Sequence, residues 1–253
     1  MLSIDVNCDM GEGFGNYRMP DDEALMDYIS SANIACGFHA GDAETMLSTV
    51  RLALQKGVAI GAHPGLPDLQ GFGRREMKLS AGEVYQITLY QTGALYGIAR
   101  ATGAVLHHVK PHGALYNMAA RDIELAGAIV QAVYDFDATL ILYAPAGSEM
   151  IKAAGKRGLA TASEVFADRT YLDDGSLTPR NRLDALISDR EQLLNRVKML
   201  VSEQKTTSVN NKPVSLKAET ICIHGDGPHA LLFARAIHER LVAEGVAIKP
   251  FGR

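Results

Sequence analysis

Cysteine is scarce in this sequence. Cys8, Cys36 and Cys222 stand far apart, odd in number and with no C-x-x-C pair. That pattern excludes a disulfide framework and a cysteine-ligated zinc knuckle, and leaves the three as small apolar residues of buried strands. Positive charge is not in excess either: 25 Lys and Arg against 29 Asp and Glu give a net charge of −4. No electrostatic footprint for nucleic acid or an anionic membrane follows from it. No apolar run approaches the roughly 20 residues needed to cross a bilayer. The chain opens straight into a strand-like run, without a basic segment and apolar core, so a cytoplasmic protein is expected. Phosphate cradles are missing too. "GEGFG" at 11–15 is not G-x-G-x-x-G, and G-x-x-x-x-G-K-[ST] does not occur.

What is present is an alternation of β-rich runs with helical patterns, in a chain of 253 residues that is 47% hydrophobic and 21% charged. The strand candidates are "LSIDVNC", "SANIACG", "GVAIGAH", "GAVLHHVK", "ATLILYA", "LATASEVFA", "ETICIHG" and "GVAIKPF". Several are nearly continuous apolar runs, as strands covered on both faces require. Asp42 suits the N-cap of one helix, with Gly57 as its stop, and Asp189 suits the N-cap of another. Ser80 with Glu83 has capping-box order. Without a repeat or linker to divide it, residues 1–253 read as one α/β domain. Its expected form is a TIM-like (β/α) barrel of seven or eight strands, with a small hairpin insertion at about 206–217 turning at Asn210–Asn211.

The groups capable of chemistry fall where strands end. Asp9 and Glu12 follow the first strand, His39 and Asp42 the second, and His63 the third. Lys110 and His112 follow the fourth, Glu164, Asp168 and Arg169 lie in or after the sixth, and His224 and Asp226 follow the seventh. In parallel α/β folds those ends meet on one face. Gly11, Gly13 and Gly15 then let the backbone approach a ligand, or simply form a surface turn. Asp9, His39 and His63 could hold a divalent metal, or serve as acid and base with the carboxylate orienting an imidazole. The spacing does not separate the two. Lys110 could hold a carboxylate or an oxyanion. Arg74 and Arg75 suit bidentate anion capture or a solvated turn. His229 stands beside the seventh strand's acids, while His108 and helix-borne His238 read as structural or surface residues.

"NCDMGEGFG", "NIACGFHAGD", "GAHPG", "VKPHGALYN", "FADRTY" and "ICIHGDGPHA" together resemble the LamB/YcsF family, the 5-oxoprolinase A subunits, from about residue 3 to residue 252. The resemblance implies a barrel similar to the glycoside hydrolase/deacetylase barrels. It implies ATP-dependent opening of the lactam 5-oxoproline (pyroglutamate) to L-glutamate, with partner subunits B and C and ATP as co-substrate. On that footing Asp9 and Glu12, with His39 or His63, would orient and deprotonate water. Lys110, with Arg74, would hold the substrate carboxylate or the oxyanion. Asn7, Gly11, His112, Glu164, Asp168, Arg169, His224 and Asp226 would line the pocket, while the divalent metal on Asp9, His39 and His63 stays an option of the residue pattern alone. Two rival readings are a metal-dependent deacetylase of N-acyl sugars and a non-catalytic lactam-binding subunit. Homo-oligomerisation stays open.

Overall fold

Apart from one small hairpin, the described strands pair side by side in one direction, each delivering its C-terminal end to the same face. A computed structural model describes residues 2–19, 21–223, 225 and 230–252. Within it, β1 (Ser3–Met10), β2 (Ser31–Ala35), β3 (Ala59–His63), β4 (Leu106–Val109), β5 (Ile141–Pro145) and β6 (Thr161–Phe166) pair in sequence order. β6 then pairs with β9 (Thr220–Ile223), and β9 closes on β1 with Asp5 opposite Thr220 and Cys8 opposite Ile223. The result is a closed, parallel, seven-stranded barrel. Around it lie α1 (Asp22–Leu25), α2 (Ala43–Lys56), α3 (Ala81–Ala101), α4 (Gly113–Arg121), α5 (Ile123–Phe136), α6 (Glu149–Arg157), α7 (Arg190–Glu203) and α8 (Ala230–Ala243).

The eighth strand candidate, "GVAIKPF", does not enter the ring. It contributes β10 (Ala247–Ile248), which pairs with Ser3 and Ile4. β1 is longer than its neighbours, and its later residues are already paired with β9 and β2. Only its first residues are left for a further strand. The hairpin is β7 (Lys205–Thr207) against β8 (Pro213–Ser215), antiparallel, with Asn211 at φ +59° in the turn.

The helices start as their capping residues dictate. Asp42 accepts from the Thr45 amide at 2.8 Å and Gly57 ends α2 at φ +70°. Ser80 and Glu83 form a reciprocal capping box on α3, and Asp189 accepts from Gln192 at the start of α7. Asp42 also accepts from the Gly15 amide at 2.7 Å, so both its oxygens serve the local structure.

The apolar faces of the strands point outward. In β1, Ile4, Val6, Cys8 and Met10 are buried in the hydrophobic shell. The alternate residues Asp5, Asn7 and Asp9 point inward, because strand side chains alternate with period two. A barrel interior is ordinarily filled with branched aliphatic layers. This one is a polar column, tolerated because its groups are paired with one another. Asp5 accepts from Ser30 at 2.6 Å, Ser31 at 2.7 Å and Thr220 at 2.6 Å. Above it, Asn7 donates to Glu164 at 2.9 Å and Thr220 at 2.7 Å. Asn33 donates to Asn7 at 2.8 Å and to Asp9 at 2.9 Å, and its own oxygen accepts from His108 at 2.8 Å. His108 is therefore structural, stacked on Tyr143 inside the barrel. All three cysteines are free and buried. No helix among the described residues is long and apolar enough to cross a membrane.

Candidate active site: a histidine and carboxylate cluster at the barrel mouth

At the end of β1 the chain turns sharply through Gly11, at φ +66°, a conformation that favours glycine. A Cβ there would also fall 2.9 Å from Thr49 Oγ1. The turn delivers Glu12 to the barrel mouth, where it is buried with His39, His63 and His112 from the ends of β2, β3 and β4. These four can offer one ligand atom each, all within 4.8 Å of one another. Glu12 Oε1 lies 3.3 Å from His39 Nε2 and 3.5 Å from His112 Nδ1. The His39 and His112 rings stack at 3.8 Å and 3°, and His63 meets both edge-on.

The hydrogen bonds fix two of the tautomers. His63 Nδ1 donates to the Lys110 carbonyl at 2.7 Å, and His112 Nε2 donates to the Phe72 carbonyl at 2.8 Å. In the neutral rings the remaining nitrogens, His63 Nε2 and His112 Nδ1, carry lone pairs. These face each other at 2.9 Å, with Glu12 and Asp9 beside them. Burial, reinforced by the neighbouring rings, pushes the His39 and His112 imidazoles well below their usual range, which keeps both neutral. Two lone pairs at that distance repel unless a proton or a cation joins them. His39 Nδ1 is, in addition, a buried ring nitrogen without a hydrogen-bond partner.

Asp9 stands one layer behind. Its Oδ1 accepts from Lys110 at 3.0 Å and from Asn33 at 2.9 Å, while Oδ2 lies 3.3 Å from His63 Nε2. Burial would raise this carboxyl, but His63 and Lys110 outweigh it and hold the group well below the ordinary carboxylate range. The atoms that could together hold a metal thus come from Glu12, His39, His63 and His112, and Asp9 lies beside them, against His63. The reason is that Lys110 and Asn33 draw Asp9 down into the column.

Lys110 is placed differently from its expected role. Its ammonium is buried and meets Asp9, Glu164 at 2.9 Å, the Asn7 oxygen at 3.1 Å and Cys222 Sγ at 3.1 Å. Burial opposes the charge, yet Asp9, Cys222 and Glu164 together raise its pKa well above the usual value. Three protons facing four protein acceptors leave nothing for a substrate carboxylate. Glu164 and Asn7 are partners of the same column, and Tyr116 donates to the other Glu164 oxygen.

The remaining candidates lie farther out. Arg74 is exposed, with its guanidinium 4.9 Å over the Phe72 ring. Arg75 is committed to Asp68. Arg169 is buried and donates to the Thr178 carbonyl at 2.6 Å and the Ala185 carbonyl at 3.4 Å. Burial lowers its pKa to about 10, and its contacts hold the loop after β6 in shape. Asp168, half-buried, accepts from the Ile187 amide through its main chain. His224, Asp226 and His229 lie outside the described residues, and His238 contacts the Tyr28 carbonyl on the outer shell. The parts played by Asn33, Tyr116 and Phe72 are not evident in the sequence. Asn33 alone left a signal there, as a polar residue at an alternate position of an apolar run.

The profile of the LamB/YcsF family matches residues 4–253. A relative from Tolumonas auensis, named as the A subunit of 5-oxoprolinase, is 57% identical over 249 residues, covering 98% of this chain and 99% of its own. The crystal structure of the lactam utilization protein from Thermus thermophilus superposes with a TM-score of 0.94 at 46% identity, covering 99% of this chain and all of that one. The catalytic domain of a peptidoglycan N-acetylglucosamine deacetylase from Eubacterium rectale shares the fold, with a TM-score of 0.52 at 12% identity over 98% of this chain and 87% of its own.

Proposed function

The chain belongs to the LamB/YcsF family, and from that premise we propose that it is the A subunit of an ATP-dependent 5-oxoprolinase, opening 5-oxoproline to L-glutamate together with subunits B and C. The observation that carries the reading is near-complete coverage at 57% identity by a relative of that name. The reaction adds water across the lactam C–N bond. The ring nitrogen leaves as the amine of glutamate, and the carbonyl carbon becomes its side-chain carboxylate. An unstrained amide resists this, so ATP would convert the carbonyl oxygen into a phosphate-bearing leaving group, and the site must position and deprotonate the water.

Glu12, His39, His63 and His112 are proposed to hold a divalent metal. The donor set of three imidazoles and one carboxylate suits zinc or a similar transition ion. Ligating histidines typically donate their second nitrogen to a carbonyl or carboxylate, as His63 and His112 do here. When bound, such an ion supplies Lewis-acid polarisation of a carbonyl oxygen. The chain's own residues do the rest. Asp9, ionised and pinned by Lys110 and Asn33, keeps its other oxygen toward His63 and accepts the proton of the attacking water. Arg74 lies at the rim, outside the column, where its guanidinium can meet the substrate carboxylate.

The test is reconstitution of the chain with subunits B and C, measuring 5-oxoproline-dependent ATP hydrolysis and glutamate release. His63→Ala and Asp9→Asn should each lower glutamate release by at least a hundredfold. Wild-type turnover by either variant would overturn the site assignment. The metal cluster also favours a second reading, an amide hydrolase independent of ATP. Release of acetate from N-acetylated sugars by the isolated chain, without nucleotide, would select it.

A further inference from the structure

Among the described residues, Phe72 is the one aromatic held in left-handed backbone, at φ +54°. A bulky side chain is strained there, and such outliers persist where the surroundings enforce them. The surroundings are specific. Asp68 accepts from the Gly71 and Gly73 amides and binds Arg75, while the Gly73 carbonyl accepts from Ala114 at the start of α4. A Cβ on Gly73 would fall 2.7 Å from His39 and 2.9 Å from His112, so the loop lies directly on the stacked rings. Between these anchors, the turn at Phe72 aims its carbonyl at His112 Nε2, 2.8 Å away. Its ring meets His39 and His112 edge-on, at 5.8 Å and 5.3 Å.

We propose that Phe72 is a positioning residue whose strained main-chain carbonyl selects the Nε2–H form of His112 and so directs the Nδ1 lone pair to the metal position shared with Glu12, His39 and His63. The inference rests on the metal-centre reading above, but its first consequence does not need the metal. An imidazole with both nitrogens free would divide between two tautomers, only one of which could ligate through Nδ1. Lys110 does the same for His63 through its own carbonyl, with opposite ring polarity. The two loops therefore turn two lone pairs toward each other before any ion arrives.

The experiment has two arms. Nitrogen-15 spectra of the histidine-labelled, metal-free chain at pH 8 should show His112 as a single Nε2–H tautomer. An Nδ1–H form, or exchange between both, would overturn the proposal whether or not metal binds. In the second arm Zn²⁺ affinity is measured by calorimetry for the wild type, Phe72→Gly and Phe72→Pro. Glycine keeps both the carbonyl and the left-handed turn, and should bind within about threefold of wild type. Proline fixes φ near −65°, moves the carbonyl, and should weaken binding about 10- to 100-fold. Equal loss in both variants would assign the effect to the ring and overturn the carbonyl's role, as would wild-type affinity in the proline variant. If the proline variant does not fold, the tautomer measurement decides alone. A wild type that binds no Zn²⁺ yet shows the Nε2–H form would sink the metal reading and leave the positioning intact.

Discussion

Lys110 and Glu164 meet at 2.9 Å inside the barrel, with the lysine 3% and the glutamate 2% exposed. The ion pair is part of the column that supports the site from below, since the same ammonium holds Asp9 at 3.0 Å. Lys110→Ala should therefore unfold more readily as well as lose activity, which departs from a purely catalytic lysine. It leaves two buried carboxylates without their cation, and breaking such a pair costs about 3–5 kcal/mol. Urea unfolding of the isolated chain measures this. A loss below about 1 kcal/mol would mean that water already reaches the column and that Lys110 is free for substrate.

Asp22 gives a pH dependence with a definite sign. It accepts from the Gly11 amide at 2.8 Å beneath the Glu12 turn, and burial raises its carboxyl to about 6. The folded state thus holds this proton more tightly than the unfolded state, where the group titrates near 3.8. The contribution is full below about 4 and is lost as pH rises through about 6, on the order of 3 kcal/mol. Asp22→Asn keeps an oxygen for the Gly11 amide and cannot ionise. Its stability relative to wild type should rise between pH 4 and pH 7, read from urea midpoints at both. A difference that stays flat across that interval would place the carboxyl in contact with solvent.

The mouth of the barrel is legible in the sequence because apolar runs that end in His, Asp or Glu are visible without coordinates. Asp9, Glu12, His39, His63 and His112 all stand out that way. Which of them share one centre is not legible, because that depends on which neighbour captures each group first. Asp9 and His63 both end strands on the same side of the ring, yet Lys110, following β4, draws Asp9 inward. The roles of Arg74 and Arg75 are inseparable in sequence for the same reason, since only the position of Asp68 distinguishes them. The polar column shows as the alternation of Asp5, Asn7 and Asp9 in "SIDVNCDM", but the flanking aliphatic residues mask it as an apolar strand. The outlying β10 cannot be told from a ring strand, because its exclusion follows from where β9 and β1 close.

Metal binding should be visible as stability. An ion that binds only the folded state adds about 2.7 kcal/mol at a hundredfold excess over its dissociation constant. For a chain of this size that is a rise of roughly 5–10 °C in Tm on adding Zn²⁺ to chelator-treated protein. Glu12→Gln and His112→Ala should each remove most of the rise while leaving the chelated Tm within a few degrees of wild type. A rise that survives in both variants would put the ion elsewhere.

The same substitution at two glycines should have opposite effects. Gly65 lies under His39: an added Cβ would fall 2.5 Å from Nδ1 and 2.9 Å from Cγ of that ring. The backbone cannot retreat, because Gln91 on α3 holds the Gly65 amide at 3.0 Å and its carbonyl at 2.9 Å. Gly65→Ala must therefore displace His39, at a cost of about 1–3 kcal/mol for overpacking, and should weaken Zn²⁺ binding at least tenfold. Gly97, farther along the same helix as Gln91, has nothing within 4 Å of an added Cβ. Gly97→Ala should stabilise the chain by about 0.5–1 kcal/mol through helix propensity, with Zn²⁺ affinity unchanged. Thermal unfolding and calorimetry on the two variants separate a packing constraint at the site from the general effect of replacing glycine. If Gly65→Ala binds Zn²⁺ as the wild type does, His39 is not held where the cluster requires it.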